Sequence, residues 1–289
     1  MKMIFVGVFG KNSTNISQAR SFEQCKVKVV RYDYRRWGTE LGPLQRDAAL
    51  IKLCKDVRPD FIFFSKCDEL TPRVFEECHK VTKTVLWYMD PALERGKYFF
   101  KNMAQCDLVC CALWAPYQAF KKRHPHVFQL CEGFDPAVDS PAKADTKHDV
   151  SFIGHLNNPS REKYHAAVGF HIYTQAYGRT HAVAVAASRI NLNFTEGGTS
   201  DRTYKVLAAR GFLLTEAWPH MTDIFKPGRD LAVFTDIKTL RAQIKYYLAH
   251  PAERAKIAKT GCKTVQRFKR SAFAQRVLAL LCAVKKGKA

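Results

Sequence analysis

Short, almost wholly apolar runs recur along this chain with room for a helix between each and the next, and that rhythm restricts what it can fold into. In the first half the runs are MIFVGV (3–8), KVKVVRYD (26–33), DFIFFSK (60–66), TVLWYMD (84–90), DLVCCAL (107–113) and HVFQLCEG (126–133). Strands with so little polar alternation are covered on both faces, the condition of strands in a parallel sheet. Between them, ALIKLCKDV (49–57) and PRVFEECHKV (72–81) place apolar residues at helical spacing. The class implied is α/β with an open, doubly wound sheet.

The rhythm lapses at PAVDSPAKADTKHD (136–149), rich in Pro, Ala, Asp and Lys, which reads as a linker over 141–148. It then resumes with strands DVSFIGH (149–155), FHIYTQ (170–175), INLNF (190–194), FLLTE (212–216) and VFTD (233–236). Helices are expected from Arg161 and over 181–189, 238–249, 252–266 and 271–283. A chain of 289 residues exceeds one typical core. The expectation is therefore a Rossmann-like domain over 1–140, a second over 149–268, and a C-terminal segment, 269–289. The helix of that segment packs back on the first domain, and its KKGKA end is solvated. Two such domains facing each other place a ligand cleft at the carboxyl ends of their strands.

Charge adds a constraint of another kind. Lys+Arg 47 against Asp+Glu 26 gives a formal net charge of +21, more than solubility requires, so the surface is either generally basic or directed at a polyanion. The basic residues are spread over the whole chain, which favours a broad electropositive face over a detachable arm. Hydrophobic residues at 47% exclude a mostly disordered chain. The 10 cysteines show neither metal-ligand spacing nor a secretory context, and read as buried free thiols in a reducing compartment. Cys110 and Cys111 would face opposite sides of one strand. The apolar run in MKMIFVGVFG is too short for a signal peptide, and no stretch approaches the roughly 20 apolar residues of a membrane span. The location expected is cytoplasmic, a host's cytoplasm if the chain is viral.

The segment most suggestive of chemistry is EGGTSDRTYKVLAARGFLLTE (196–216), a glycine turn leading into a helix, a helix-ending glycine and a buried strand. Arg202 and Lys205 stand three apart near the helix start and point the same way, while Tyr204, Leu207 and Ala208 cover the core face. Two cations and the free N–H groups of a helix start suit a diphosphate. Gly154, after the buried strand FIGH, lets a backbone approach a ligand closely, and His155 and Asn157 can donate to phosphate or to a leaving group. Glu196, with Thr199 and Ser200 in the same loop, could hold ribose or sugar hydroxyls, and Tyr173 and Gln175 could meet the base. In the first half, Gly10, Lys11, Asn12 and Ser13 form a loop that is neither GxGxxG nor a Walker sequence. It is either an ordinary polar turn or an acceptor-side loop lining the cleft. Asp90, at the end of WYMDP, could serve as general base on an acceptor hydroxyl or orient it, although an Asp before Pro is also a common turn former and cap.

Taken together, SFIGH at 151–155 with Arg161, INLNF at 190–194, SDRTYKVLAARGFLLTE at 200–216, DIFKPGRDLAVFTD at 223–236 and IKYYLAHPAERAKIAKTGCKTVQRF at 244–268 resemble the C-terminal donor domain of GT-B glycosyltransferases. Within these, the CgeB-like, spore-maturation-type branch is the most similar. The first half resembles the family mainly in architecture, with WYMD and EGFDP (132–136) as local echoes. The resemblance implies two facing domains and a nucleoside-diphosphate sugar, most readily a UDP-sugar, bound mainly by the second. It also implies glycosyl transfer with no obligatory metal and no other cofactor. Arg202 matches the family's basic residue before the donor helix. Where relatives commonly carry Phe-Glu, this chain has Tyr204 and Lys205, so the acid usually assigned to the donor ribose is absent there.

The acceptor is less constrained. The charge and the basic-aromatic run RYDYRRWG (31–38) fit a hydroxylated base in DNA, flipped toward Asp90, as in phage-type hypermodification. A cell-surface, spore or capsule glycan or a protein is the competing acceptor, and an inactive nucleic-acid-binding module on the same scaffold is a third reading. The sugar, the anomeric outcome and the oligomeric state are left open by the sequence.

Overall fold

The computed structural model describes residues 1–93, 96–195 and 197–284. Glu196 and the KKGKA end, for which the sequence gives expectations, lie outside the described residues. The chain forms two compact units, Met1–Cys131 with the C-terminal stretch from Arg270, and Glu132–Lys269.

The first unit runs β1 (Lys2–Gly7), α1 (Thr14–Gln24), β2 (Lys28–Asp33), α2 (Tyr34–Leu41), α3 (Pro43–Val57), β3 (Phe61–Ser65), α4 (Pro72–Val81), β4 (Lys83–Tyr88), α5 (Phe99–Ala104), β5 (Leu108–Cys111), α6 (Trp114–Lys121) and β6 (Val127–Gln129). All six strands are parallel, in the order β2-β1-β3-β4-β5-β6. The second unit runs α7 (Pro136–Asp139), β7 (His148–Ile153), α8 (Pro159–Val168), β8 (His171–Tyr173), α9 (Arg179–Ala186), β9 (Ser188–Asn193), α10 (Asp201–Ala208), β10 (Leu213–Glu216), β11 (Ala232–Phe234), α11 (Ile237–Ala249) and α12 (Pro251–Thr264). Its parallel sheet has the order β11-β10-β9-β7-β8. The fold is thus α/β with two Rossmann-like parallel sheets.

Why the first-half runs are so apolar is visible in their alternation. Ile4, Val6, Phe64, Leu86 and Cys111 point into a core shared with α3, α4 and α6, whereas Met3, Phe5, Phe63, Trp87 and Cys110 point into a core on the opposite face. That second core is completed by α13 (Arg270–Ala283), whose Phe273 ring lies 4.8 Å from Trp87 and 6.3 Å from Phe63. The α13 helix packs along α1. Burying Phe273, Val277 and Leu281 there removes apolar surface that is worth about 2 kcal/mol per side chain.

Several local expectations are adjusted by the structure. The boundary between units falls at Cys131/Glu132, ahead of the 141–148 stretch, because the backbone N–H of Phe134 donates to Phe268 O at 3.1 Å and Arg179 donates to Ser140 O at 2.6 Å. From Tyr34 the basic-aromatic run belongs to helix α2, capped by Asp33, whose Oδ1 accepts from the Arg36 backbone N–H at 3.0 Å. Helix α9 ends at Ala186, two residues before β9 begins at Ser188.

Each sheet has a point where strand order reverses. In the first unit β1 has β2 on one side and β3 on the other, and in the second β7 has β8 on one side and β9 on the other. Ligands of open α/β sheets lie beyond the carboxyl ends of the strands at such points. There the ends of β7 and β9 present Gly154 and Asn193, and the end of β3 presents Lys66.

Candidate active site

At the β7/β9 end of the second unit the principal side chain is Arg202, in the first turn of α10. Its Nε donates to Ile153 O at 2.5 Å and its Nη1 to Asn193 Oδ1 at 2.8 Å. The guanidinium lies 4.4 Å from the centre of the Phe152 ring, and that of Arg161 lies 5.7 Å from the same ring. The third nitrogen, Nη2, lies beside Gly154, where a Cβ would come within 2.7 Å of it. Gly154 has a φ of +152°, which L residues rarely adopt, so the strand end is shaped for glycine by both backbone and neighbour.

The charge of Arg202 is anchored without being matched. Both of its anchors are neutral oxygens, and it makes no ion pair among the described residues. Burial, and then the neighbouring Arg161 charge, push its guanidinium down to about 10, with Asp201 and Glu132 acting weakly the other way. A cation held in a disfavoured charged state gains most from an incoming anion, and the start of α10 adds the positive end of a helix dipole.

Lys205 does not join Arg202. Its Nζ pairs with Asp201 Oδ2 at 2.5 Å, an i,i+4 contact within α10. Three-residue spacing put both cations on the same side of the helix, but Asp201 satisfies one of them. Behind this pair lies His181 of α9, 5% exposed, its Nδ1 without a hydrogen-bond partner among the described residues. Burial, and then the Lys205 charge, bring its imidazole down to about 3, with a smaller contribution from Arg202 and an opposing one from Asp201.

The other expected residues fall into separate groups. His155 and Asn157 are exposed beside β7, where the His155 carbonyl accepts from Arg161 Nη1 at 3.3 Å. Thr199 is buried and accepts from the Tyr204 hydroxyl at 3.1 Å, so it braces α10 from within. Ser200 caps α10, and its Oγ donates to Asn193 Oδ1 at 3.1 Å. Tyr173 and Gln175 line a cavity of about 580 Å³ with Thr174, Ile172, Val183 and Lys147. The Tyr173 carbonyl accepts from Gly154 N–H at 3.0 Å, and the cavity runs from Tyr173 to Lys147, His148 and Ala187 at the amino ends of β7 and β9.

In the first unit, Gly10, Lys11 and Asn12 form an exposed turn, and Ser13 caps α1, accepting from the Asn15 backbone N–H at 3.2 Å. Asp90 pairs with Lys66 Nζ at 2.8 Å. Lys66 and Cys67, directly after β3, have φ of +64° and +61°, two successive non-glycine residues in the left-handed region. Such conformations concentrate at functional positions. The run expected to meet DNA is largely self-neutralised. Arg31 pairs with Glu23 at 2.9 Å, Arg35 with Glu69 at 3.2 Å and Arg36 with Glu40 at 2.7 Å, while Tyr32 and Tyr34 are buried. It therefore gives no support to a DNA acceptor.

Sequence reasoning passed over Asn193 and Lys66. A polar residue inside the apolar run INLNF was the available signal for Asn193, whereas nothing in FFSKCDE marks Lys66 as strained. Among the described residues no group of three or more His, Cys, Asp or Glu side chains could hold a metal, and no helix is long and apolar enough to cross a membrane.

Residues 140–281 match a family model described as glycosyl transferase-like. No curated protein matches the chain. Among solved structures, HepE of Anabaena in complex with UDP-glucose superposes with a TM-score of 0.70 at 11% identity, covering 98% of this chain and 100% of that one. Sucrose-phosphate synthase of Thermosynechococcus elongatus gives 0.72 at 11% identity, covering 98% of each chain. A glycosyltransferase of Rickettsia africae gives 0.67 at 9% identity, covering 99% of each. The architecture is the GT-B glycosyltransferase fold.

Proposed function

We propose that the protein is a glycosyltransferase that takes a sugar from a nucleoside-diphosphate donor, UDP-linked in the first instance, and transfers it to an acceptor hydroxyl. The observation that carries this reading is Arg202, a guanidinium fixed by neutral partners at the strand-order reversal of the second unit, beside a glycine and at a helix start. Support also comes from the family match over 140–281 and from the UDP and UDP-glucose complexes of HepE. The run SDRTYKVLAARGFLLTE supports the CgeB-like branch.

Arg202 and the α10 N–H groups bind the diphosphate, and their attraction grows as the glycosidic bond breaks and the leaving group gains charge. Gly154 leaves space for the phosphate oxygens, and the cavity beside Tyr173 and Gln175 takes the nucleoside. Asp90 is the acceptor-side base. In this reading the guanidinium supplies the charge that a divalent ion would otherwise provide, so EDTA should leave turnover unchanged. The net charge of +21 makes a polyanion, DNA bearing hydroxylated bases included, the acceptor class to try first.

The test is a thermal-shift and calorimetric screen against UDP, GDP, ADP and TDP, followed by donor turnover with hydroxymethylated duplex DNA, glycan and protein acceptors. At about 100 Kd of the right nucleotide the protein should gain about 2.7 kcal/mol of stability. Failure of every nucleoside diphosphate to bind would remove the reading.

A further inference from the structure

Asn193 ends β9 with 0% exposure, and every hydrogen-bonding position of its amide is used. Oδ1 accepts from Arg202 Nη1 at 2.8 Å and from Ser200 Oγ at 3.1 Å. Nδ2 donates to Thr215 Oγ1 at 3.0 Å and to Thr203 Oγ1 at 3.3 Å. Thr203 Oγ1 in turn accepts from the Ser200 backbone N–H at 3.4 Å. One neutral side chain thus connects β9, β10, the start of α10 and the guanidinium.

We infer that Asn193 is a positioning residue for the anion site, aiming Arg202 at the Gly154 side while leaving its positive charge unspent. The inference rests on the proposed donor reading. An amide and a carboxylate could orient the guanidinium equally well, but a carboxylate 2.8 Å away would form an ion pair and cancel the field that draws in a diphosphate. An alanine would leave both Nη1 and the Ser200 hydroxyl without an acceptor. The network behind the amide keeps it from rotating: with Thr215 and Thr203 fixed as acceptors, Oδ1 is turned toward Arg202 and Ser200.

The experiment compares Asn193→Asp and Thr215→Val with the intact protein and with Arg202→Met. Affinities for UDP and for uridine are measured by calorimetry, with circular dichroism to confirm folding. Asn193→Asp keeps the side-chain volume and should weaken UDP binding by about tenfold while changing uridine binding by less than about twofold. Thr215→Val, which removes one acceptor behind the amide without reaching the guanidinium, should weaken UDP by about threefold and leave uridine unchanged. A purely structural role predicts a lower Tm in both variants with equal effects on UDP and uridine, and that result overturns the inference. So does unchanged UDP affinity in folded Asn193→Asp, or in Thr215→Val should the aspartate variant fail to fold. If the intact protein binds no UDP or any other nucleoside diphosphate, the donor reading itself falls. If it binds one, Arg202→Met abolishes binding and the two other variants bind normally, the donor reading stands and only the inference falls.

Discussion

The two strand-order reversals of this protein carry opposite charge balances. At the β7/β9 end, Arg202 is held by a backbone carbonyl and an amide oxygen, so among the described residues a positive charge is left over. At the β1/β3 end, Lys66, directly after β3, is matched at 2.8 Å by Asp90 from the loop after the neighbouring β4, in a pair whose side chains are 31% and 14% exposed. The same architecture therefore produces one end suited to an anion and another suited to a neutral group that needs a hydrogen-bond acceptor. In the proposed reading, the sheet topology selects where a ligand binds, and the pairing of a single cation selects what kind.

The strongest way to break this contrast is Arg202→Met, which should lower donor kcat/KM by about a hundredfold or more. Arg202→Lys, which keeps the charge but loses the forked anchorage, should fall between Met and the intact protein. Unchanged donor kinetics in the methionine variant would end the distinction between the two ends. On the other side, Asp90→Asn should reduce kcat by about a hundredfold while UDP affinity stays within about twofold, as titration calorimetry can check. Equal losses in both quantities would mean that the first-unit end also governs the donor. Gly154→Ala should cost about 1–3 kcal/mol of stability, since its backbone is strained for any other residue and the new methyl meets Arg202 Nη2. Urea denaturation would read that loss, with a parallel fall in UDP affinity.

A pH experiment sharpens the contrast further. His181, behind α10, has its imidazole brought down to about 3, below its ordinary 6.5. The unfolded chain then binds a proton that the folded chain refuses, so stability rises with pH in this window. It is full above about 6.5 and falls by up to about 1.4 kcal/mol per pH unit as pH drops toward 3. His181→Gln should flatten that slope in urea titrations between pH 6.5 and 5. The smallest effect belongs to the surface: Arg36→Ala breaks an exposed, solvent-screened pair with Glu40 and should leave the urea midpoint unchanged. It should leave any DNA affinity as it was, because that charge is already matched.

Much of the scaffold could be read from sequence because burial on both faces leaves a direct trace. The runs that became β1, β3, β4 and β5 contain few polar residues, since each residue meets one core or the other, as Cys110 and Cys111 do on opposite faces. Weaker traces were misread. The run RYDYRRWG (31–38) has the composition of a basic-aromatic surface, yet from Tyr34 it is the start of a helix whose arginines find glutamates at i,i+4 and across to Glu69. Arg202 was marked by its place at a helix start, but its company was not. Lys205 was joined to it by spacing, and the structure gives Lys205 to Asp201 instead.

By itself, then, the sequence determined the parallel sheets, their connecting helices and the helix start where an anion could bind, because periodicity and glycine placement are local properties. Only the tertiary structure decided which cation stays unmatched among the described residues. Charge balance depends on contacts between residues far apart in the chain: Arg202 with Ile153 O, Lys66 with Asp90, and Asn193 with Thr215. Those contacts exist only once the strands have been brought side by side.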